Sequence, residues 1–504
     1  MDLTHASTVP DVLRRSAARV PDRLALRFAD RDWTYRALDT AVTRAAGWLL
    51  ARGLRPGDRV AALGRNSDAY LILFLACGRA GLVHVPVNYN VTLDELRYFT
   101  TQSGSSLLLH DAGYAALAGA LAPLPAADLD ELLAAATAGP VPELAVRVKD
   151  TDLAQLLYTS GTTAAPKGAM MSHRALLHEY LSAVVALDLT ERDRPLHALP
   201  LYHSGQLHVF LMPYLLLGAE NRLVAAAEPG ELLARLGGEQ LTSFFAPPTV
   251  WTAIEAHPEF AGTDLTRLVK AYYGASIMPA PVLARLRRAL PDTGFYNAFG
   301  QSEAGPLTTV LRPEEHAERP DSAGRPVLFV EVKVVDEAGA EVGPDEVGEV
   351  LYRSPQLCAG YWDKPGESAA AFDGDWFHSG DLVRRDAAGY LFVVDRLKDV
   401  INTGGVLVAS REVEDVLYGH PAVLEAAVIG IPHPHWIEAV TAVVVVSEPV
   451  GAQELIAYAR ERLPAHKAPK AVHFAAGLPK NASGKLLKRD LRARLTGSEA
   501  AWQG

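Results

Sequence analysis

The order of periodic segments predicts an α/β protein: a large N-terminal domain of two α/β subdomains plus a small β-rich subdomain, then a small mobile α/β C-terminal domain. Three observations carry this prediction. Helical and strand patterns alternate through the first half of the chain. Short β-rich runs separated by turns replace them from near Pro326. A separate α/β pattern follows Lys398. The chain has 504 residues, too many for one simple core, so two or more domains are expected.

The elements follow in order. Thr34 to Arg52 places Ala37, Leu38, Ala41, Ala45 and Trp48 on or near one helical face. Gly57-Asp58 then turns into the apolar strand Arg59 to Leu63. Asp68 to Ala80 reads as a helix and Leu82 to Val87 as a strand. This alternation argues for parallel, buried sheets. Ala115 to Ala138, rich in Ala, Leu and Pro, reads as a surface excursion. Leu153 to Leu157 is a buried strand, Ala169 to His173 a short strand, and Arg174 to Leu187 a helix. Val330 to Val335, Gly348 to Arg353 and Gly389 to Val394 are the β-rich runs. In the tail, Glu412 to Tyr418 and Gln453 to Leu463 read as helices, and Val423 to Gly430 and Ala439 to Ser447 as strands. The charged link Asp395 to Asp399 suits a solvated hinge, which divides the chain into residues 1–395 and 396–504.

Composition narrows the class. Apolar residues make up 49% and charged residues 21%, as in an ordinary soluble globular protein. A net charge of −11 disfavours nucleic acid as a general partner. Two cysteines, Cys77 and Cys358, make no disulfide framework, which favours a cytoplasmic location. Met1 to Arg15 lacks the apolar core of a signal peptide. Tyr70 to Val87 is interrupted by Arg79 and His84, and is too poor for a transmembrane segment.

The most informative stretch is Tyr158-Thr-Ser-Gly-Thr-Thr-Ala-Ala-Pro-Lys-Gly168. It packs five hydroxyls, two glycines and a lysine into one loop after a buried strand. Hydroxyls and unencumbered N–H groups in a tight turn form a concave anion site. Lys167 adds a point charge suited to phosphate. The order differs from the usual P-loop, which needs Gly-Lys-Ser/Thr opening a helix. Composition alone would allow a Ser/Thr-rich surface turn; the full ordered string is too specific for that. It points to a polyphosphate, most simply ATP.

This string resembles the phosphate-binding signature of the acyl-adenylate-forming (AMP-binding) superfamily, which includes acyl-CoA synthetases, adenylation domains and luciferases. The resemblance spans about residues 10 to 492 and is nearest to the fatty-acyl-CoA synthetase branch. It implies that Thr159, Ser160, Gly161, Thr162, Thr163 and Lys167 hold the phosphates. Asn297-Ala-Phe-Gly-Gln-Ser-Glu-Ala-Gly305 resembles the aromatic-Gly-x-Thr-Glu motif. There Asn297, Ala298, Phe299 and Gly300 would lie along adenine, Ser302 would bond a phosphate oxygen, and Glu303 would ligate Mg²⁺. By itself a Gly-flanked Ser-Glu pair is more often a helix cap.

Trp376-Phe-His-Ser-Gly-Asp381 resembles the motif whose aspartate grips both ribose hydroxyls, and Arg396 the arginine that also reaches the ribose. Lys398 falls at the family's hinge position. Leu478-Pro-Lys-Asn-Ala-Ser-Gly-Lys485 resembles the last motif, and implies that Lys485 bridges the acid's carboxylate and the α-phosphate. Such a cation orients the nucleophile and offsets developing charge. Leu199-Pro-Leu-Tyr-His203 resembles the acid-tunnel motif, with His203 in the catalytic set. Tyr202-His203 replaces the Phe-Asp of amino-acid-activating relatives, which argues against an amino-acid substrate. Tyr273-Gly-Ala-Ser276 resembles the loop beside adenine and acid, so Gly274, Ala275 and Ser276 join the nucleotide set.

The resemblance has departures. Relatives carry Gly-Gly-Glu-Asn-Val-Tyr-Pro after the hinge; here Gly404-Gly405 is followed by Val406, Leu407 and, in the Pro place, Ser410. In the family this strip faces the thiol donor's channel, with Gly404, Gly405 and Trp436 beside CoA. Ile437 stands where Gly is frequent after the tryptophan. Pro432-His-Pro-His435 invites a metal reading, but two prolines and no further ligands favour a solvated loop.

The expected activity is an ATP-dependent acyl-CoA synthetase using ATP, Mg²⁺ and CoA. Its acid would be an apolar aliphatic or aryl monocarboxylic acid, because no isolated Arg or Lys sits in Tyr202 to Gln206, Phe244 to Val250 or Tyr273 to Ser276. One alternative is an acyl-AMP ligase that loads a carrier protein, motivated by the altered strip from Val406 to Ser410. Another is a non-catalytic nucleotide- or acyl-binding relative. The presence of Lys167, Glu303, Asp381, Arg396 and Lys485 ranks that one last. A homodimer is left open.

Overall fold

Two largely parallel sheets form most of the large domain, as the alternating pattern requires. The computed structural model describes residues 7–159, 166–276, 278–480 and 486–496. The first sheet has six strands in the order Ala126–Asp128, Ser105–His110, Arg59–Leu63, Val83–Val87, Leu153–Thr159, Lys167–Ser172. All are parallel except the last, which returns antiparallel. The second sheet has nine strands, with Gly294–Phe299, Lys270–Gly274, Ser243–Ala246, Pro195–His197, Asn221–Leu223 and Leu24–Phe28 as its parallel run.

Helices cover these sheets for reasons visible in their sequences. Tyr35–Ala51 begins at Thr34, whose hydroxyl accepts from the Ala37 amide, and it buries Leu38, Ala41, Val42, Ala45 and Leu49. Asp68–Arg79 is capped by Ser67 and is buried from Asp68 to Gly78. A helix apolar on all sides can only lie between layers. The buried Asp68 carboxylate is satisfied by Arg31, in two bonds of 2.6 and 2.7 Å, and by the Trp33 indole at 2.8 Å. One carboxylate thus ties the edge strand Arg31–Thr34 of one sheet to a helix beside the other.

Ala115 to Ala138 is not a surface excursion. Its strand Ala126–Asp128 pairs in parallel with Ser105–His110, and its helix Leu129–Thr137 buries Leu129, Leu132 and Ala136. Alanine and leucine at helical spacing mark a packed face, and the prolines only punctuate it.

The β-rich runs form an antiparallel sheet of Glu331–Val335, Val347–Arg353, Trp376–Arg385, Phe372–Asp373 and Leu391–Arg396. The small domain has its own sheet, in which Val423–His433 and Ile437–Val446 form a long antiparallel pair and Ala471–Phe474 runs parallel beside it. Helix Ser410–Tyr418 packs on it through Val413 and Leu417, and Ala452–Arg460 through Leu455, Ile456 and Ala459. Gly404 and Gly405, at φ +67° and +87°, make the two-residue hairpin turn between Ile401–Thr403 and Val406–Val408. A tight turn with both central residues at positive φ strongly favours glycine.

The link between domains is only partly solvated. Leu397 and Lys398 are exposed, but Asp395 is buried. Its Oδ2 accepts from the Ser410 amide at 2.6 Å and the Ser410 hydroxyl at 2.8 Å. Lys488 donates to the same hydroxyl at 2.6 Å and pairs with Glu414 at 2.7 Å. Burial opposes the Lys488 charge, yet Glu414 and Asp395 outweigh it and hold the ammonium above the usual lysine range. Ser410 therefore does not face a channel; it is a buried joint between the link at Asp395 and helix Ser410–Tyr418. Charge density marks a solvated segment only when each charge lacks a partner deeper in the fold.

A buried histidine chain crosses the large domain. Gln155 donates to His84 Nδ1 at 2.9 Å and accepts from His208 Nε2 at 2.7 Å, and Tyr180 donates to His208 Nδ1 at 2.9 Å. Burial pushes His84 and His208 down to about 3, and His173 and His197 down to about 4. An unfolded histidine titrates near 6.5. Below that pH the unfolded chain binds protons that the folded chain refuses. Stability is therefore full above about pH 6.5 and is lost as pH falls towards 4. Each histidine removes about 2 kcal/mol at pH 5. The urea midpoint should fall steeply between pH 7 and pH 5; a flat midpoint would contradict this account.

Candidate active site

The loop after Leu153–Thr159 is braced from outside. Tyr98 donates to the Pro166 carbonyl at 2.7 Å. Tyr158 donates to Gln102, whose amide in turn reaches the Trp362 carbonyl at 2.8 Å. Thr159 and Lys167 stand opposite each other in register at the loop's stem. Ser160, Gly161, Thr162 and Thr163 lie outside the described residues.

Glu303 is the point where separate segments meet. Its carboxylate Oε1 accepts from the Thr159 hydroxyl at 2.8 Å and from the Tyr361 hydroxyl at 3.2 Å. Lys167 Nζ sits 4.9 Å from the centre of the Tyr361 ring. The carboxylate is buried, with 8% of the residue exposed, so its acceptor positions are well defined. Ser302, beside it, shares a 2.8 Å hydroxyl–hydroxyl bond with Ser204. Tyr361 and Ser204 were not legible from sequence, because their link to Glu303 and Ser302 exists only across the fold.

Two glycines set the spacing of this region. A Cβ on Gly274 would stand 2.1 Å from the Ala298 carbonyl oxygen, and one on Gly300 2.0 Å from that of Pro306. Ala275 follows at φ +65°, exposed at the strand end beside half-buried Ser276. Phe299 ends the strand Gly294–Phe299 half-buried, and Asn297 donates to the Ser322 carbonyl at 3.0 Å.

Asp381 and Arg396 pair in register on neighbouring antiparallel strands, with an ion pair of 3.0 Å. Asp381 is 2% exposed. The preceding Gly380 amide donates to Glu349 at 2.8 Å, and Glu349 also holds His378 at 2.8 Å. The carboxylate is thus fixed in direction with one oxygen on Arg396.

On the acid side, Asn66 holds Leu199-Pro-Leu201, accepting from the Leu201 amide at 2.7 Å and donating to the Leu199 carbonyl at 2.9 Å. Tyr202 meets Tyr89 edge-to-face, with centroids 5.3 Å apart. His203 Nδ1 accepts from the Gly205 amide at 3.4 Å, and Phe245 borders the same glycine. The chain then winds as a π-helix from Gly205 to Leu211, a form that recurs at functional sites. Phe244 and Tyr273 do not join this wall. Phe244 packs on Trp251, and Tyr273 bonds His316 at 2.9 Å, because neighbouring strand residues face opposite sides.

Gly404, Gly405 and Trp436 make their contacts within the small domain. The Gly404 amide donates to the Trp436 carbonyl at 2.7 Å, and Trp436 stacks on His433 at 4.6 Å. His435 meets the same indole edge-to-face, with centroids 5.3 Å apart. Lys485 lies outside the described residues.

The AMP-binding enzyme family matches residues 13–362, and the AMP-binding enzyme C-terminal domain matches residues 412–485. The chain belongs to the AMP-binding enzyme family. It is 40% identical to a feruloyl-CoA synthase from Amycolatopsis sp over 488 residues, covering 95% of this chain and 97% of that protein. It is 32% identical to a fatty acid–[acyl-carrier-protein] ligase, ScoC, from Streptomyces coeruleorubidus, covering 96% of each. The o-succinylbenzoate CoA synthetase of Bacillus subtilis, solved with its acyl-adenylate, superimposes with a TM-score of 0.86 at 30% identity, over 96% of this chain and 98% of that one. The α/β architecture read from sequence is therefore that of the adenylate-forming ligases. This family member is an ATP-dependent acyl-CoA synthetase, an AMP-forming acid–thiol ligase. No helix among its described residues is long and apolar enough to cross a membrane.

The glycine contacts yield a test of the site's geometry. Gly274→Ala forces backbone apart at the Ala298 carbonyl, and overpacking of this kind costs about 1–3 kcal/mol. The thermal midpoint should fall by several degrees. An unchanged midpoint would mean that the two strands separate without penalty.

Proposed function

We propose that the acid is an aryl monocarboxylic acid of the phenylpropenoic type. The observation that carries this is the set of aromatic rings near His203: Tyr202 precedes it and meets Tyr89 edge-to-face, and Phe245 borders Gly205, whose amide donates to His203. A planar aryl acid offers faces and edges to such rings. The likeness to feruloyl-CoA synthase supports the same choice.

The reaction runs in two halves. The carboxylate attacks the α-phosphorus of ATP, giving acyl-AMP and pyrophosphate. The CoA thiol then displaces AMP and loses its proton. In our assignment Thr159 and Lys167, with the loop between them, hold the phosphates. Asp381 and Arg396 hold the ribose, and Gly274 to Ser276 with Asn297 to Gly300 lie along adenine. Ser302 takes a phosphate oxygen. His203 sits at the carboxylate end of the acid wall, and Lys485 bridges carboxylate and α-phosphate. Gly404, Gly405 and Trp436 belong to the thiol donor.

Glu303 would hold a magnesium ion, with the Thr159 hydroxyl beside it. A single buried carboxylate suits this ion, which keeps water and phosphate oxygens as its remaining ligands. When bound, the ion offsets charge on the phosphates.

A carrier protein in place of CoA is a second reading with its own observation. The thiol-donor hairpin presents Val406 and Leu407 to solvent, 46% and 62% exposed, and Ile437 beside them is 58% exposed. ScoC, a relative of similar coverage, is named for a carrier protein. AMP release with CoA, compared with release by phosphopantetheinylated carrier proteins, separates the two. Full turnover with CoA alone removes the second reading.

Cinnamic, coumaric and ferulic acids should drive ATP–pyrophosphate exchange better than hexanoic or malonic acid. Best activity with malonate would defeat the aryl assignment. Lys485→Ala should slow adenylation by about 10²–10³-fold and spare thioester formation from supplied acyl-AMP. Equal loss in both halves would place the damage elsewhere.

Lys398→Pro should do the reverse. Lys398 is exposed between two domains that must change their relation, and proline fixes φ and removes an amide. Pyrophosphate exchange should persist while acyl-CoA formation falls. Parent rates of acyl-CoA would move the hinge away from Lys398.

A further inference from the structure

A buried polar cluster lies beneath the Glu303 turn, and none of the roles above uses it. Glu179 is on helix His173–Ala186, directly after the strand that Lys167 opens, and is completely buried. Its Oε1 accepts from the Leu307 amide at 3.3 Å, and its Oε2 from the Gln356 side-chain amide at 2.7 Å. Gln356 is also completely buried. Its Nε2 reaches the carbonyls of Ala304 at 3.3 Å and Leu307 at 3.1 Å, and its Oε1 accepts from Ser182 at 2.6 Å. Two residues on, the Cys358 amide donates to the Glu303 carbonyl at 2.8 Å.

We propose that Glu179 and Gln356 are positioning residues for adenylation: they grip the backbone from Ala304 to Leu307 so that the Glu303 carboxylate is held towards Thr159 and Tyr361. The proposal rests on the assignment of Glu303 to the phosphate side of the site.

Three physical arguments support it. First, the pair holds a turn rather than merely filling space. Between them the two side chains satisfy one amide and two carbonyls of a five-residue segment, and Cys358 satisfies a third carbonyl. Second, a buried carboxylate is an expensive way to gain stability. Burial pushes the Glu179 carboxyl well above the usual carboxylate range. An apolar side chain of equal volume is often as stable or more so, and the recognised use of a buried polar or ionic group is to select one arrangement. Third, the connections reach both halves of the site. Helix His173–Ala186 follows directly on the strand whose first residue is Lys167, so one continuous strand–helix unit carries the stem of the phosphate loop and the grip on the Glu303 turn. Gly305, at φ +100°, leaves room for this contact; a Cβ there would stand 3.1 Å from Gln356 and 3.2 Å from Glu179.

The pattern of donors makes the device testable. In these bonds both Glu179 oxygens accept, and Gln356 presents its amide nitrogen to three acceptors. Glu179→Met removes the grip at similar volume. Glu179→Gln sets two amide groups against each other, or turns the Gln356 oxygen towards the two carbonyls. The double variant E179Q/Q356E restores a bond between the two side chains but leaves Ala304 and Leu307 without their donor.

Four measurements on the full-length protein decide the matter: thermal midpoint, ATP–pyrophosphate exchange, thioester formation from supplied acyl-AMP, and hydrogen exchange of the segment 302–307. For Glu179→Met we expect a folded protein whose exchange kcat falls by about 10-fold or more, since small misplacements cost about 10²-fold at the limit. The KM for the acid and the thioester half-reaction should be unchanged, and amides of 302–307 should exchange faster. If Glu179→Met does not fold, E179Q/Q356E takes its place with the same expectations.

In a Glu303→Gln background the second substitution should add little further loss, because both act through one carboxylate. Adenylation within twofold of the parent in a folded Glu179 variant, unchanged hydrogen exchange, or full additivity with Glu303→Gln would each overturn the proposal. Recovery of the parent rate in E179Q/Q356E would do so as well, by showing that the backbone grip is dispensable. Parent adenylation in Glu303→Gln alone would instead overturn the assignment of Glu303, and is read separately.

Discussion

The Glu303 carboxylate is the constraint on which the site depends. Thr159 comes from the six-stranded sheet, Glu303 from a turn after a strand of the nine-stranded sheet, and Tyr361 from the segment between two strands of the antiparallel sheet. One buried oxygen accepts from both hydroxyls, so three parts of the large domain are fixed relative to one another. An unpartnered carboxylate at that depth would be costly, and any slippage between the sheets would create one.

Much of the surrounding structure protects this arrangement. The tyrosine and glutamine braces at Tyr98, Gln102 and Tyr158 hold the loop stem from outside. Gly274 and Gly300 let backbone approach backbone where a side chain would not fit. Glu179 and Gln356 supply the floor. The groups we assign to binding sit on strand ends and turns, while their supports sit on buried helices and strands, an arrangement that gives a ligand site precision without burying it.

The two domains are joined by a different kind of contact. Asp395, Ser410, Lys488 and Glu414 form a continuous hydrogen-bonded chain of largely buried polar groups. Beyond it only Leu397 and Lys398 are exposed at the link. A short exposed step beside a firmly satisfied cluster is what the hinge we propose at Lys398 would need.

Local chemistry in the sequence determined most of the architecture. The helix at Tyr35–Ala51, the strands at Arg59–Leu63 and Val83–Val87, and the tail's helices and long strand pair follow from apolar period and caps, which act over a few residues. The motif residues Thr159, Lys167, Glu303, Asp381 and Arg396 could be singled out because their spacing along the chain is itself the signal, and the fold brings Thr159 to Glu303 and Asp381 to Arg396. What the sequence did not decide was partnership. Ala115 to Ala138 read as surface until Ala126–Asp128 paired with Ser105–His110. Asp395 and Ser410 read as solvated hinge and channel wall until each became the other's partner. Tyr361, Glu179 and Gln356 carried no local signature at all. A hydrogen bond between residues 58 or 177 positions apart has no period to betray it. Such bonds become visible only once packing has brought both ends into the same dry space.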